Sequence, residues 1–272
     1  MVYYYPEGQK NPSIWDNNLK ENEIRALLDL RNGGQLGEWE RVFLKYLDKE
    51  SLILDAGCGA ANLVQALNMK GYSCIGIDNS LYRLRTAKRY RCSLPIAAMD
   101  IRAFAFGPKA FGGCISLGVI EHFEDGLKPS LSEAWRILKP GGVFLASVPH
   151  FTPLRSRLAI KGKYKALKNF EEIQNKFYQF TFDKENLISA FSSLDWQVLD
   201  VFYSSVVKGI KDEIPVLEFV YKIYRKMKKH SVLFFIPIKV FNLIFILLEN
   251  SKYLQRHCSH MIMIVAQKKV QD

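Results

Sequence analysis

Residues 52–63, Leu52-Ile53-Leu54-Asp55-Ala56-Gly57-Cys58-Gly59-Ala60-Ala61-Asn62-Leu63, constrain this chain more than any other stretch. An apolar run ends on a carboxylate, passes two glycines one residue apart and enters a helix at about Ala61. That pattern reads as a buried strand, a tight turn and a helix start. Gly57 and Gly59 lack a Cβ, so the backbone can turn sharply and let a ligand approach its N–H groups, and the first amides of the helix point at the same spot. This is the form of a loop that holds a nucleotide-bearing cofactor. The dinucleotide fingerprint G-x-G-x-x-G needs a third glycine at position 62, where the chain has Asn62.

Acidic residues at strand ends take the place of that third glycine. Asp55 stands just before the glycines, Asp78 closes the apolar run 74–77, and Asp100 follows the run 96–99. In a parallel sheet, three such carboxylates converge along the carboxyl edge of strands one to three. The second suits the two ribose hydroxyls of a nucleoside and the third suits an exocyclic amine. Taken singly, each acid also fits a strand-end cap or a solvated loop. Together with the glycines they describe a cofactor edge.

Five pieces in order carry a resemblance. They are Leu54-Asp55-Ala56-Gly57-Cys58-Gly59, Gly76-Ile77-Asp78, Met99-Asp100-Ile101, Ser116-Leu117-Gly118-Val119-Ile120-Glu121-His122-Phe123 and Ala134-Trp135-Arg136-Ile137-Leu138-Lys139-Pro140-Gly141-Gly142. In sequence and spacing they resemble the class I S-adenosylmethionine-dependent methyltransferases, within the group that includes quinone-methylating and other small-molecule enzymes. The resemblance covers roughly residues 50–149. It implies an α/β, Rossmann-like seven-stranded sheet with an antiparallel last strand and helical insertions over the active-site edge. It also implies S-adenosylmethionine as cofactor. Asp55 and the Gly57 and Gly59 backbone would hold the methionine part, Asp78 the ribose, and Asp100 with the Ile101 N–H the adenine. Leu117, at the end of the fourth strand, joins the cofactor set. The departure is Ala61, where the family often has another glycine.

The 272 residues suffice for a single methyltransferase domain. Its parts read as a helical lead-in at 1–50, the cofactor-binding core at 51–149, a basic cap insertion at 150–177, a helix and sixth strand at 178–207, a basic and apolar insertion at 208–259, and the last strand and tail at 260–272. Strands are predicted at 52–55, 74–78, 96–99, 113–118, 143–148, 196–203 and 260–266, and helices at 21–30, 38–47, 130–138 and 183–191. Five cysteines without a C-x-x-C pair read as reduced core or loop residues. The first residues show no apolar signal core, which points to a cytoplasmic protein.

A formal charge of +11 favours an anionic partner and does not choose among membrane, nucleic acid and phosphorylated substrate. Much of the charge lies in the two insertions. The first carries Arg155, Arg157, Lys161, Lys163, Lys165 and Lys168. The second opens a basic amphipathic helix, with Val216, Val220, Ile223 and Met227 at helical spacing beside Lys222, Arg225, Lys226, Lys228 and Lys229. An apolar run at 232–248 follows, about 26 Å long as a helix and short of the roughly 20 residues a span needs. Pro237, Lys239 and Asn242 lie near its middle, so it reads as a segment in a membrane interface, with a lid or dimer helix as the alternative. Both insertions leave the carboxyl edge of the sheet and form a basic, apolar roof over the site.

Methyl transfer from a sulfonium is an in-line displacement that asks mainly for alignment and exclusion of water. A base is needed where the acceptor is a hydroxyl or protonated amine. His122, after the fourth strand, and His150, after the fifth, are the candidates, with Glu121 placed to orient His122 or the acceptor. No metal is expected, because Gly118 stands where a metal-binding relative carries a further carboxylate. The function read from the chain is methyl transfer to a small, lipid or lipid-linked acceptor at the cytoplasmic membrane face. A nucleic-acid enzyme is disfavoured by the lack of an N/D-P-P-Y/F turn after strand four, though ribose or ring-carbon methylation does not need that turn. A binding protein without turnover is the third reading. The oligomeric state is not specified by the sequence.

Overall fold

The parallel strands of the core are apolar on both faces, and the structure shows why. The computed structural model describes residues 3–4, 35–166, 179–229 and 235–270. Seven strands form one sheet: β1 (Leu52–Ala56), β2 (Ser73–Asp78), β3 (Ile96–Ala98), β4 (Phe111–Leu117), β5 (Leu138–Pro149), β6 (Trp196–Ser204) and β7 (Met261–Lys268). Their order is β3-β2-β1-β4-β5-β7-β6, with β7 antiparallel to both neighbours. The remaining pairings are parallel.

Successive side chains alternate between two cores. Leu54, Cys114, Phe144 and Ile264 face one, with Leu131, Leu187, Phe191 and Trp196. Ile53, Ile115, Leu145 and Val265 face the other, with Val42, Phe43, Val64 and Leu67. The first core is covered by α4 (Lys128–Ile137) and α6 (Lys184–Ser192). The second is covered by α1 (Glu40–Tyr46), α2 (Asn62–Met69) and α3 (Leu81–Tyr90). Side-chain caps start several helices: Ser80 accepts from Arg83 N at α3, and Asp183 accepts from Asn186 N at α6. β5 begins at Leu138 rather than at 143, because the stretch through Pro140 and Gly142 pairs irregularly with β4 before the regular ladder.

The insertions fold as helices: α5 (Pro153–Ile160), α7 (Val206–Glu213), α8 (Pro215–Lys229), α9 (Phe235–Asn250) and α10 (Lys252–Cys258). The apolar stripe read on α8 packs only in part, with Val220 and Met227 half-buried. Tyr224 is buried and packs edge-on against Phe245 and tilted against Phe241 of α9, Tyr221 also packs against Phe245, and the Tyr224 hydroxyl donates to Asn242 Oδ1 at 2.7 Å. Val216 and Ile223 are exposed instead. The helix read at 21–30, Lys168 and residues 232–234 lie outside the described residues. Two-residue strands at Lys165–Ala166, Tyr3–Tyr4 and Phe180–Thr181 form a small second sheet.

Candidate active site

The carboxyl ends of β1, β2, β3 and β4 bring the three acids and both glycines of the sequence reading to one edge. Gly57 has φ +92° and Gly59 φ +53°, and a Cβ on Gly57 would stand 2.4 Å from Val119 Cγ2. Glycine at 57 is therefore required twice, by backbone and by space. Ala61 adopts φ +60° just before α2, the left-handed conformation in which glycine would be unstrained. The loop N–H groups are not free for a ligand as the sequence suggested. Gly57 N and Cys58 N donate to Ile77 O at 2.8 Å, and Gly59 N donates to Asp78 Oδ2 at 2.8 Å. These bonds hold the loop against β2, and what it offers a ligand is the space of the missing side chains.

Electrostatics single out Asp55. It is buried, and burial followed by the nearby Asp78 charge pushes its carboxyl up to about 7. Asp78 accepts from Gly59 N and from Ser80 N, both at 2.8 Å. Asp100 is partly exposed and held below the usual carboxylate range by Arg102. Ile101 is buried beside it, and Leu117 is half-buried at the end of β4. This donor set fits a ligand with a positive amino acid end and a ribose. Asp55 gains from a nearby cation, Asp78 has acceptor capacity for hydroxyls, and the glycine turn leaves room between them.

The loop after β4 carries two of the catalytic candidates, Glu121 and His122. Gly118, at φ +67°, donates its N–H to Ser147 O and turns the chain into a short helical turn, Ile120–His122. Glu121 is buried and its Oε2 has no partner among the described residues, so burial pushes its carboxyl up to about 8. His122 Nε2 lies 3.9 Å from Glu121 Oε1, with the His122 side chain 18% exposed. His150 is placed differently. It is buried, its Nδ1 pairs with Ser259 Oγ at 2.7 Å, and burial with the Arg155 charge pushes it down to about 3. Buried, bonded to Ser259 and pushed down in this way, the His150 ring is a weak base at neutral pH. Among the described residues no group of three His, Cys, Asp or Glu side chains could hold a metal ion.

Sequence reasoning missed the knot that fixes the roof. Arg155, read as part of a basic surface, is buried and donates from Nε to Glu213 Oε1 at 2.8 Å and from Nη1 to His150 O at 2.7 Å. Glu213 also accepts from Lys163 Nζ at 2.8 Å and from the Tyr164 hydroxyl at 2.5 Å, and these bonds hold its carboxyl down to about 2 against the cost of burial. At the other end of α7, Glu249 of α9 accepts from Val206 N at 2.8 Å and Val207 N at 2.9 Å, an anion on a helix N-terminus. A Cβ on Gly209 would lie 1.9 Å from Cys258 O, so glycine there lets α7 close on α10.

Comparison with known proteins agrees with this edge. A family described as "Methyltransferase domain" matches residues 54–146. An uncharacterized protein of Methanocaldococcus jannaschii is 24% identical over 204 residues, 68% of this chain and 75% of that one. The ubiquinone biosynthesis O-methyltransferase of Brucella ovis is 28% identical over 151 residues, 54% of this chain and 60% of that protein. The chain thus spans three fifths of the Brucella enzyme. A crystal structure of a SAM-dependent methyltransferase from Methanosarcina mazei superposes with a TM-score of 0.56 at 15% identity, covering 85% of this chain and 98% of that one. Residues 54–146 thus carry a methyltransferase domain, and the seven-stranded sheet with its antiparallel β7 and the glycine turn between Asp55 and Asp78 gives the chain the fold of the class I S-adenosylmethionine-dependent methyltransferases.

Proposed function

We propose that the chain methylates a small lipid or lipid-linked acceptor at a membrane face, and that the α8–α9 hairpin is the element that meets the membrane. The observation that carries this reading is the hairpin's outer surface. Val216, Phe219 and Ile223 on α8 are 70%, 64% and 41% exposed, and Val240, Leu243 and Leu247 on α9 are 52%, 58% and 63% exposed. Around one hollow of about 340 Å³ on α8, Phe219 and Ile223 alternate with Lys222, Arg225 and Lys226. Exposed apolar side chains interleaved with basic ones suit an anionic lipid surface, which answers both at once. A second copy of the same face would bring like charges together. No helix among the described residues is long and apolar enough to cross a membrane, which fits contact with a surface. The relative named for ubiquinone biosynthesis and O-methylation supports a small-molecule acceptor.

In this reading S-adenosylmethionine, when bound, supplies an activated methyl group. Asp55 and the turn at Gly57 and Gly59 hold its methionine part, Asp78 its ribose, and Asp100 and Ile101 its adenine. His122 takes the proton of a hydroxyl acceptor. Glu121, in reach of His122 and protonated below about pH 8, orients that ring or the acceptor. The helices rising from the ends of β5 and β6 exclude water from the same edge. The test is transfer from methyl-labelled cofactor in a fractionated cell extract. Label in the organic-extractable fraction supports the proposal, and label confined to nucleic acid or to water-soluble products contradicts it.

A further inference from the structure

The carboxylate of Asp100 is heavily engaged by a neighbour two residues along the chain. Arg102 donates its backbone N–H to Oδ1 at 2.8 Å, its Nε to Oδ1 at 3.1 Å and Oδ2 at 3.2 Å, and its Nη2 to Oδ2 at 2.7 Å. A carboxylate has about four lone-pair sites, and this one side chain with its own amide occupies most of them. The two side chains are 39% and 41% exposed, so the pair is within reach of a ligand. The same guanidinium lies 4.6 Å from the centre of the Phe123 ring, and its Nη1 is 3.5 Å from Asp125 Oδ2. Phe123 and Asp125 lie within three residues after His122, so Arg102 spans the acid after β3 and the loop after β4.

The geometry points to Arg102 as a specificity-determining residue that competes with the cofactor's exocyclic amine for Asp100 and has a second seat on Asp125 and Phe123. This inference rests on the proposed assignment of Asp100 to adenine. For Asp100 to accept an amine hydrogen, one or more of the Arg102 bonds must yield. Asp125 and the Phe123 ring keep the guanidinium partnered when that happens. A purine carrying a carbonyl oxygen in place of the amine would set acceptor against acceptor at Asp100, yet it could receive a hydrogen bond from Arg102. Arg102 therefore weakens adenine binding and blunts discrimination between the two purines.

The experiment is calorimetric titration of wild type, Arg102→Met, Arg102→Lys and Asp100→Leu with S-adenosylhomocysteine and with S-inosylhomocysteine. Arg102→Met should bind the adenosyl ligand about two- to fivefold tighter, the scale of one exposed ion pair, and the inosyl ligand no tighter. Arg102→Lys keeps the charge but loses the bidentate fork and should fall between wild type and Arg102→Met. Equal or weaker adenosyl binding by both arginine variants, at an unchanged melting temperature, overturns the proposal. If Arg102→Met melts lower than wild type, the lysine variant decides. An unchanged adenosyl affinity in Asp100→Leu, which leaves no acceptor at that position, would instead refute the assignment of Asp100 to adenine, whatever the arginine variants do.

Discussion

The cofactor edge and the roof are built on opposite principles. At the edge, carboxylates are placed by strand ends, and the buried pair Asp55 and Glu121 is left short of cations, with pKa values pushed up to about 7 and about 8. In the roof, the buried carboxylate Glu213 is saturated by Arg155, Lys163 and Tyr164 and held down to about 2. An undersatisfied acid is a place for a ligand or a proton, whereas a saturated one is a fastener. Charge in this chain therefore has two uses that composition alone does not separate.

The largest effect that would break this comparison lies in the fastener. Glu213→Ala leaves Arg155 buried without its counterion, and the roof should lose about 3–5 kcal/mol. Hydrogen exchange should accelerate in α5 and in α7 to α10 while β1, β2 and β4 stay protected and cofactor affinity holds. Loss of protection in the whole sheet would show that roof and core are one cooperative unit.

Next in size is the proposed proton carrier. His122→Ala should lower the methyl-transfer rate at least about a hundredfold and leave cofactor affinity nearly intact. An unchanged rate would return His122 to a loop-shaping role. Asp78→Ala should weaken S-adenosylmethionine binding by about 1.5–3 kcal/mol through lost charge-assisted hydrogen bonds, without changing vesicle binding. A parallel loss of vesicle binding would contradict the division between the regions.

The smallest effect sharpens the electrostatic contrast. Glu121 titrates near 4.5 unfolded and about 8 folded, so the folded state is favoured by holding the proton and loses that advantage as pH rises from about 4.5 through 8. Glu121→Gln cannot ionise. It should match wild-type stability near pH 4.5 and become increasingly the more stable of the two as pH rises to 8, read from melting curves across the range. A pH-independent difference would mean that Glu121 has a cation partner.

The two regions were unequally legible in the sequence. In the core, a parallel sheet forces acids that follow apolar runs to one edge, so Asp55, Asp78 and Asp100 could be placed from spacing alone. The close fit of Val119 against Gly57 could not, because 62 positions separate the two residues and only the β1–β4 pairing brings them together. In the roof, Arg155 and Glu213 are 58 positions apart, and neither lies in a local pattern that distinguishes a buried ion pair from a solvated charge. The packed face of α8 was read only in part, for a similar reason. Helical spacing fits both the Val216 and Ile223 stripe and the Tyr221 and Tyr224 stripe, and the aromatic partners on α9 decide between them. Gly209 gave no signal at all, since its need arises from Cys258 O on another helix.

That packing also fixes how the membrane reading should be tested. Phe241 and Phe245 hold the hairpin together, so replacing them would test folding rather than lipid contact. Val216, Phe219, Leu243 and Leu247 point outward and are the residues to change. The decisive measurement is flotation of the full chain with anionic vesicles, comparing wild type with a variant carrying serine at those four positions and confirmed to bind cofactor normally. The account predicts that wild type floats with the vesicles and the variant stays in the aqueous fraction. Flotation of the variant at the wild-type level would contradict it.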